Sequence, residues 1–560
     1  DDIPLNDPFG GWVYWGRVPE IGLERVEVVE GGTSDLWGSA ALAGVVRLVR
    51  RDDAAPAIEA RAWGGSESST DGAVRLAGAA GPVRASGDAE LFTTDGYVPV
   101  APEARGPVDV RARSRHQAFE GTAEATGFGD SRLFLRGSRY VEERDNGTRL
   151  QKTDTGITEW SAGFDGAAAG GAAALRAYRS DETFHQTFSA IAPDRSSETL
   201  TSRQAVPSSA TGGSAQWARA FGAVHQLAAG ADYREVEGVS NDTAFLPSGP
   251  ALRPSGGRQR SGGAWIEDVA AISARVTVSA SLRWDAWSNV SGRTFESGSP
   301  VALPDRSAHS WSPRLSAVWA ATGIVSFTAS ASRAFRAPTL NELYRPFRLG
   351  SVQTLANAEL EPETADTAEA GVRFQDSEGR LFARANIFWT ELHDAVGNVT
   401  ISSTPSLITR RRENVGRIRD RGAELAVDAR VSRDFRLSAG YLFADSHVAS
   451  SAANPELVGK RVPQVPRNQA TLALRFARPA IGEFAVEGRW SGPQYDDDAN
   501  AFRLGSAFSL DAFVSREIRA GLSVFAAGEN LTGRRNEIGR TPTLTLGPPQ
   551  AFRAGLRWRI

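Results

Sequence analysis

Short runs of strictly alternating apolar and polar residues fill most of this chain. In "RVTVSASLRW" (275–284), Val276, Val278, Ala280, Leu282 and Trp284 share one face, while Arg275, Thr277, Ser279, Ser281 and Arg283 share the other. The same alternation places Phe435, Leu437, Ala439, Tyr441 and Phe443 together in "DFRLSAGYLF", Val325, Phe327, Ala329 and Ala331 together in "IVSFTASAS", and Leu472, Leu474 and Phe476 together in "TLALRF". A period of two predicts strands with one apolar and one polar face. About 22 such strands are predicted between residue 57 and the end. Soluble sandwiches alternate too, so the pattern alone does not name the architecture.

The connections discriminate better. Short ones fall near 79–83, 126–130, 167–171, 221–224, 272–274, 321–323, 376–379, 432–434, 478–482 and 518–521. Long ones fall in the alternate gaps, near 95–112, 142–157, 185–205, 236–260, 288–308, 336–364, 393–412, 445–466, 493–501 and 532–548. A barrel closed in an outer membrane has this parity, with tight turns on the periplasmic rim and long loops outside. Closure also removes the unpaired strand edges that lipid cannot satisfy. The final "AFRAGLRWRI" keeps Phe552, Ala554, Leu556, Trp558 and Ile560 on one face to the last residue, whereas chain ends in water usually fray. The expected fold is all-β: a transmembrane antiparallel β-barrel.

Composition narrows the chemistry. The chain has 560 residues, a formal charge of −3 and no cysteine, which excludes a disulfide framework and thiolate metal sites and argues against a nucleic-acid surface. No apolar stretch is long enough for a membrane helix. The six histidines, at 116, 185, 225, 309, 393 and 447, have no metal-ligand spacing, and no nucleophile motif marks an enzyme. "GGTSDLWGSAALAGVV" (31–46) follows a strand pattern as a phosphate loop would, but five residues separate Gly32 from Gly38 and no lysine follows; lysine occurs only at 152 and 460.

That stretch, read as "LERVEVVEGGTSDLWGSAALAGVVRLVRR", resembles the C-terminal part of the plug domain of TonB-dependent outer-membrane receptors. Further matches are "FRAPTLNELY" (335–344), "LEPETADTAEAGVRF" (360–374), "NVGRIRDRGAEL" (414–425), "YDDDAN" (495–500) and "GENLTGRR" (528–535), in the family's order. The resemblance implies a barrel of 22 strands holding a plug in its lumen, no catalysis and no cofactor. It divides the chain into the back part of a plug (1–55) and the transmembrane barrel (56–560), with glycines serving tight turns and close packing. It further implies import of a scarce nutrient, such as a ferric siderophore or cobalamin, across the bacterial outer membrane. The energy would come from the TonB–ExbB–ExbD complex through a TonB box expected ahead of residue 1. The expected surroundings are outer-membrane lipid, with the chain a monomer. A passive pore or surface-binding barrel is the alternative.

Candidate site residues follow from both readings. Trp12, Tyr14 and Trp15 could stack on a chelate or pack against the wall. Arg336, Tyr344, Arg345, Phe347 and Arg348 form a basic and aromatic set suited to an anionic ligand, or a solvated loop. Asp496, Asp497 and Asp498 offer oxygen ligands for Ca²⁺ but lack calcium-loop spacing, and a solvated acidic turn is the simpler expectation. By resemblance, Arg25 is the plug arginine that would lock onto lumenal Glu369 and Glu424, since Glu30 stands where the family has arginine and Arg47 where it has asparagine.

Overall fold

A computed structural model describes residues 2–52, 56–127, 129–296, 298–404, 407–541 and 543–560. Twenty-two antiparallel strands close into one barrel. The first, Ala57–Gly65, pairs with the last, Ala551–Arg559, from Glu59 opposite Arg559 to Gly65 opposite Arg553. An even strand number makes this closing pair antiparallel, so the ladder has no free edge within the membrane.

The faces divide as the alternation predicts. Leu282, Trp284, Phe327, Phe435, Tyr441, Leu472 and Leu474 are exposed on the outer surface, where lipid covers them. Their neighbours Ser281, Arg283 and Asp285 are buried in the lumen. Aromatic rings gather toward the short-turn rim, where Phe435, Phe476 and Phe484 contact in series at 4.9 and 5.8 Å and Trp319 stacks on Phe327 at 5.5 Å. Such girdles mark a membrane interface.

Several of the expected long loops are largely strand, and in two of them the barrel strands themselves continue almost to the tip. The connection near 185–205 shrinks to 192–197 between Gly171–Ile191 and Glu198–Phe221, and that near 236–260 shrinks to 247–248 between His225–Leu246 and Gly249–Ser273. A crossing strand needs about 9–11 residues, so these strands of 21 to 25 residues rise well beyond the lipid. Outside lipid their backbones still gain by pairing, and the inward residues Gln204, Val206, Ser208 and Ala210 stay buried there. Polar composition in that region hid continuing strands from the loop reading.

Residues 2–52 lie inside the barrel. Strands Leu23–Glu30 and Gly44–Arg50 form a hairpin, and the glycine-rich stretch between them folds as one helical turn, Ser34–Trp37, followed by a 3₁₀ turn. Gly38 needs its positive φ of 68°, and a Cβ there would stand 2.8 Å from a guanidinium nitrogen of Arg283 on the wall. These glycines therefore serve close packing.

The sidedness of the wall is testable one residue at a time. Leu472 is exposed to lipid near the middle of strand Asn468–Arg478, whereas Thr471 lines a lumenal cavity of about 930 Å³. Leu472→Arg should cost about 2–4 kcal/mol in urea titrations of folding into vesicles, and Thr471→Arg much less. Equal costs would contradict the assignment of faces.

Candidate functional site

The lumenal segment is fastened to the wall by charge. Arg17 donates to Glu159 at 2.8 Å and to the Leu5 carbonyl at 3.0 Å, and both charged side chains are buried. Arg50 pairs with Glu120, Arg51 with Glu59 at 2.7 Å, and Glu20 with Arg61 at 2.5 Å. The Ser281 hydroxyl donates to Asp35 at 2.6 Å, while Ser34 both donates to and accepts from the backbone of Phe335. These contacts reach several sides of the barrel.

Arg25 takes no part in this. It is half exposed and pairs with Glu24 at 3.0 Å and Glu27 at 2.7 Å on its own strand, so neighbouring carboxylates hold it before any wall residue can. Glu424 pairs instead with Arg384 of the adjacent strand at 2.6 Å, and Arg384 reaches Glu30 at 3.1 Å. The polarity at this point is reversed, with a carboxylate on the lumenal segment and the cation on the wall. Glu369 accepts from Ser330 at 3.2 Å and sits over Gly31. The expected Arg25 lock is thus corrected to Arg17–Glu159 and Arg50–Glu120, with Glu30 bound through Arg384.

On the loop side, a cavity of about 980 Å³ opens between the lumenal segment, the wall and the long loops. Trp12, Tyr14, Trp15, Arg345 and Phe347 all line it. The turn "PFGGW" presents the aromatics: Gly11 has φ 80°, and the Trp12 ring lies against Gly10 where any Cβ would fall. Trp12 meets Tyr14 edge-on at 6.3 Å and tilts on Phe184 at 5.9 Å, and Tyr14 packs on Tyr140 at 5.9 Å. Burial beside carboxylates pushes the Tyr14 phenol far above its usual range, so its hydroxyl stays neutral and bonds Thr155. Trp15 is 59% exposed at the cavity mouth.

Two arginines set the chemistry. Arg345 is 4% exposed and Arg412 6% exposed. Arg345 donates to the side-chain oxygens of Gln204 at 2.7 Å and Gln186 at 2.8 Å, and it stacks over Phe184 at 4.9 Å. Arg412 donates to the carbonyls of Asn341 and Arg345 and lies over Phe347 at 5.3 Å. Among the described residues neither forms an ion pair. Burial, reinforced for Arg345 by Arg412, pushes its guanidinium down to about 10, and burial brings Arg412 to about 10. Both remain cations at neutral pH.

The other candidates lie elsewhere. Arg336 is held between Glu342, at 3.0 Å, and Glu363, and it does not line this cavity. Tyr344 is buried in the apolar core and bonds Asn289. Arg348 donates to the Gly350 carbonyl at 2.9 Å, outside the cavity lining. Asp496, Asp497 and Asp498 are neither a calcium loop nor a solvated turn. Asp496 accepts from the Arg540 amide at 2.7 Å, Asp497 from the amides of Ala501 and Phe502, and Asp498 from Thr400 at 2.8 Å, which latches three outer loops together.

Sequence reasoning missed Arg412, His116, Tyr140 and Glu142 in the cavity lining. The triple arginine 410–412 was a usable signal for the first. Tyr140 and Glu142 follow from the inward parity of strand Gly129–Asp145, but only once the cavity's height in the barrel is known.

Breaking the buried pair should loosen the segment. Glu159→Gln strands the Arg17 cation and should cost about 3–5 kcal/mol, whereas Arg17→Met with Glu159→Leu should recover much of the loss. Ion conductance of reconstituted protein and hydrogen exchange over residues 2–22 report it. Arg25→Ala should leave both unchanged, and an effect as large as that of Glu159→Gln would restore the original lock.

Comparison with known proteins places these features in a lineage. The chain is 26% identical over 191 residues to the probable TonB-dependent siderophore receptor PiuA of Acinetobacter baumannii, covering 32% of this chain and 24% of that protein. The matched region thus spans about a quarter of that curated relative. Among solved structures, the copper transporter OprC aligns with TM-score 0.83 at 14% identity, covering 100% of this chain and 89% of that one. The ferric yersiniabactin uptake receptor FyuA of Yersinia pestis aligns with TM-score 0.77 at 14% identity, covering 96% and 85%. At such identity the structural matches speak for the fold. The family model for the TonB-dependent receptor-like β-barrel matches residues 94–531, and the chain belongs to that family of bacterial outer-membrane receptors, which are not enzymes.

Proposed function

We propose that this chain takes up an anionic metal chelate, a ferric siderophore by class, from outside the outer membrane. The observation that carries this reading is the pair of buried arginines, Arg345 and Arg412, which line the cavity and have no carboxylate at ion-pair distance among the described residues, Asp7, Asp242 and Glu342 acting on them only from farther off. A buried cation costs free energy unless an anion joins it, so a negatively charged guest in this cavity gains from both guanidiniums. Trp12, Trp15 and Phe347 supply flat apolar surface beside those charges. A volume of about 980 Å³ suits a small molecule with several donor groups.

Recognition would run through the chelator and not through direct metal ligation. The chain has no cysteine and no methionine, so the soft sulfur ligands suited to copper(I) are missing, which separates it chemically from the copper transporter it resembles in fold. Among the described residues no three His, Asp or Glu side chains gather as a metal site. The siderophore receptor relative points the same way. In this proposal residues 2–52 act as the plug that closes a monomeric barrel. Energy comes from the TonB–ExbB–ExbD complex, and the Arg17–Glu159 fastening is what must yield for passage.

The test uses ferric siderophores of differing charge, with a corrinoid as competitor. Arg345→Gln and Arg412→Gln should each weaken an anionic ferric siderophore by about 2 kcal/mol or more, since each removes one partner of a buried charge pair. In the unliganded protein each change relieves a buried charge but strands acceptors such as Gln186, Gln204 or the Asn341 carbonyl, so thermal stability should fall by less than the affinity does. Unchanged affinity, tighter binding of the corrinoid, or uptake that only equilibrates without the energising complex would each overturn the proposal.

A further inference from the structure

The outer wall carries a second feature unrelated to the lumen. In one row across the sheet, Leu315 stands opposite Ala331, Ala331 opposite Ala368, Ala368 opposite Trp389, and Trp389 opposite Arg421. Leu315 and Trp389 project while the two alanines do not, leaving an apolar trough of about 640 Å³ on the lipid-facing surface. One pleat nearer the long loops runs a charged row: Arg333 opposite Asp366, Asp366 opposite Glu391, Glu391 opposite Arg419.

Cations outnumber anions along this rim. Asp366 binds Arg333 at 2.6 Å, with His393 at 3.6 Å. Glu391 is shared by Arg417 at 3.3 Å and Arg419 at 2.7 Å, and Asp445 by Arg421 at 3.6 Å and Arg467 at 2.6 Å, with His447 at 3.7 Å. Five arginines thus face three carboxylates. Arg419 lies 4.9 Å and Arg421 5.9 Å from the centre of the ring of Trp389, the residue that lines that side of the trough. Arg421 is the most loosely paired, and its side chain is 53% exposed.

We propose that this trough binds one phosphorylated glycolipid of the outer leaflet, with an acyl chain over Ala331 and Ala368 and a phosphate among Arg333, Arg419 and Arg421. The charged row lies one pleat toward the long loops from the apolar row, which itself ends on Arg421, so an acyl chain and a phosphate meet matching chemistry side by side. Guanidinium is suited to phosphate because it offers paired donors. A neutral lipid would leave the surplus charge unanswered.

Native mass spectrometry of the full chain, purified in detergent with bis-phosphorylated lipid A or its dephosphorylated form, tests this. The wild type should retain the phosphorylated lipid at least about tenfold better than the dephosphorylated one, given the attraction of each arginine for an anionic headgroup. Arg333→Gln, Arg419→Gln and Arg421→Gln together should abolish the preference. Ala331→Leu with Ala368→Leu, which fills the trough with residues at home in lipid, should release the phosphorylated lipid by a comparable factor. Retained mobility on unheated gels confirms that each variant is folded. Equal retention of both lipids, a trough-filled variant that keeps its lipid, saturation by inorganic phosphate alone, or a dimer dissolved by the leucines would each overturn the proposal.

Discussion

Ring closure is the constraint on which everything else depends. A strand in lipid cannot leave its amides and carbonyls unpaired, and here Ile58 and Ile560 exchange backbone hydrogen bonds at 3.2 and 2.9 Å where the chain's two strand ends meet. Closing with this many strands leaves a lumen too wide for wall side chains to fill. The wall's inward residues are consequently polar and charged, and they are committed to a separate segment of the same chain. The alternation that lets the outside dissolve in lipid also supplies the lumen with the carboxylates and arginines that hold residues 2–52.

Those charges do different work at different heights. Arg17 and Glu159 satisfy each other, so their burial fastens two parts of the chain. Among the described residues, Arg345 and Arg412, nearer the outer loops, find hydrogen-bond partners in neutral amides and carbonyls. The first arrangement is complete without a ligand. The second is not, and in the proposed function that difference assigns ligand capture to the outer cavity and leaves the lower contacts as a fastening broken separately.

The sequence makes the barrel legible because a period of two, repeated with alternating connection lengths, is a property of neighbouring residues. Leu472 and Thr471 can be sorted to opposite faces without coordinates. Trp12, Tyr14, Trp15, Arg345 and Phe347 were legible as candidates because aromatic and basic residues cluster within short stretches. What was not legible depends on partners distant in the chain. Nothing local to Arg25 says that Glu24 and Glu27 will claim it, or that Arg17 will meet a carboxylate 142 positions later. Arg336 and Tyr344 look like Arg345 in sequence, yet Glu342, Glu363 and Asn289 absorb them. The tall strands near 185–260 were hidden for another reason, since outside lipid a strand no longer needs an apolar face.

The most direct measurement is the structure of the full chain with an anionic ferric siderophore bound. Its carboxylate or other anionic oxygens should lie within hydrogen-bond distance of Arg345 or Arg412, with the chelate against Trp12 or Trp15 and both arginines otherwise where they now stand. A chelate held elsewhere on the outer loops, or one bound in this cavity with both guanidiniums still turned only to Gln186, Gln204 and backbone carbonyls, would contradict the account.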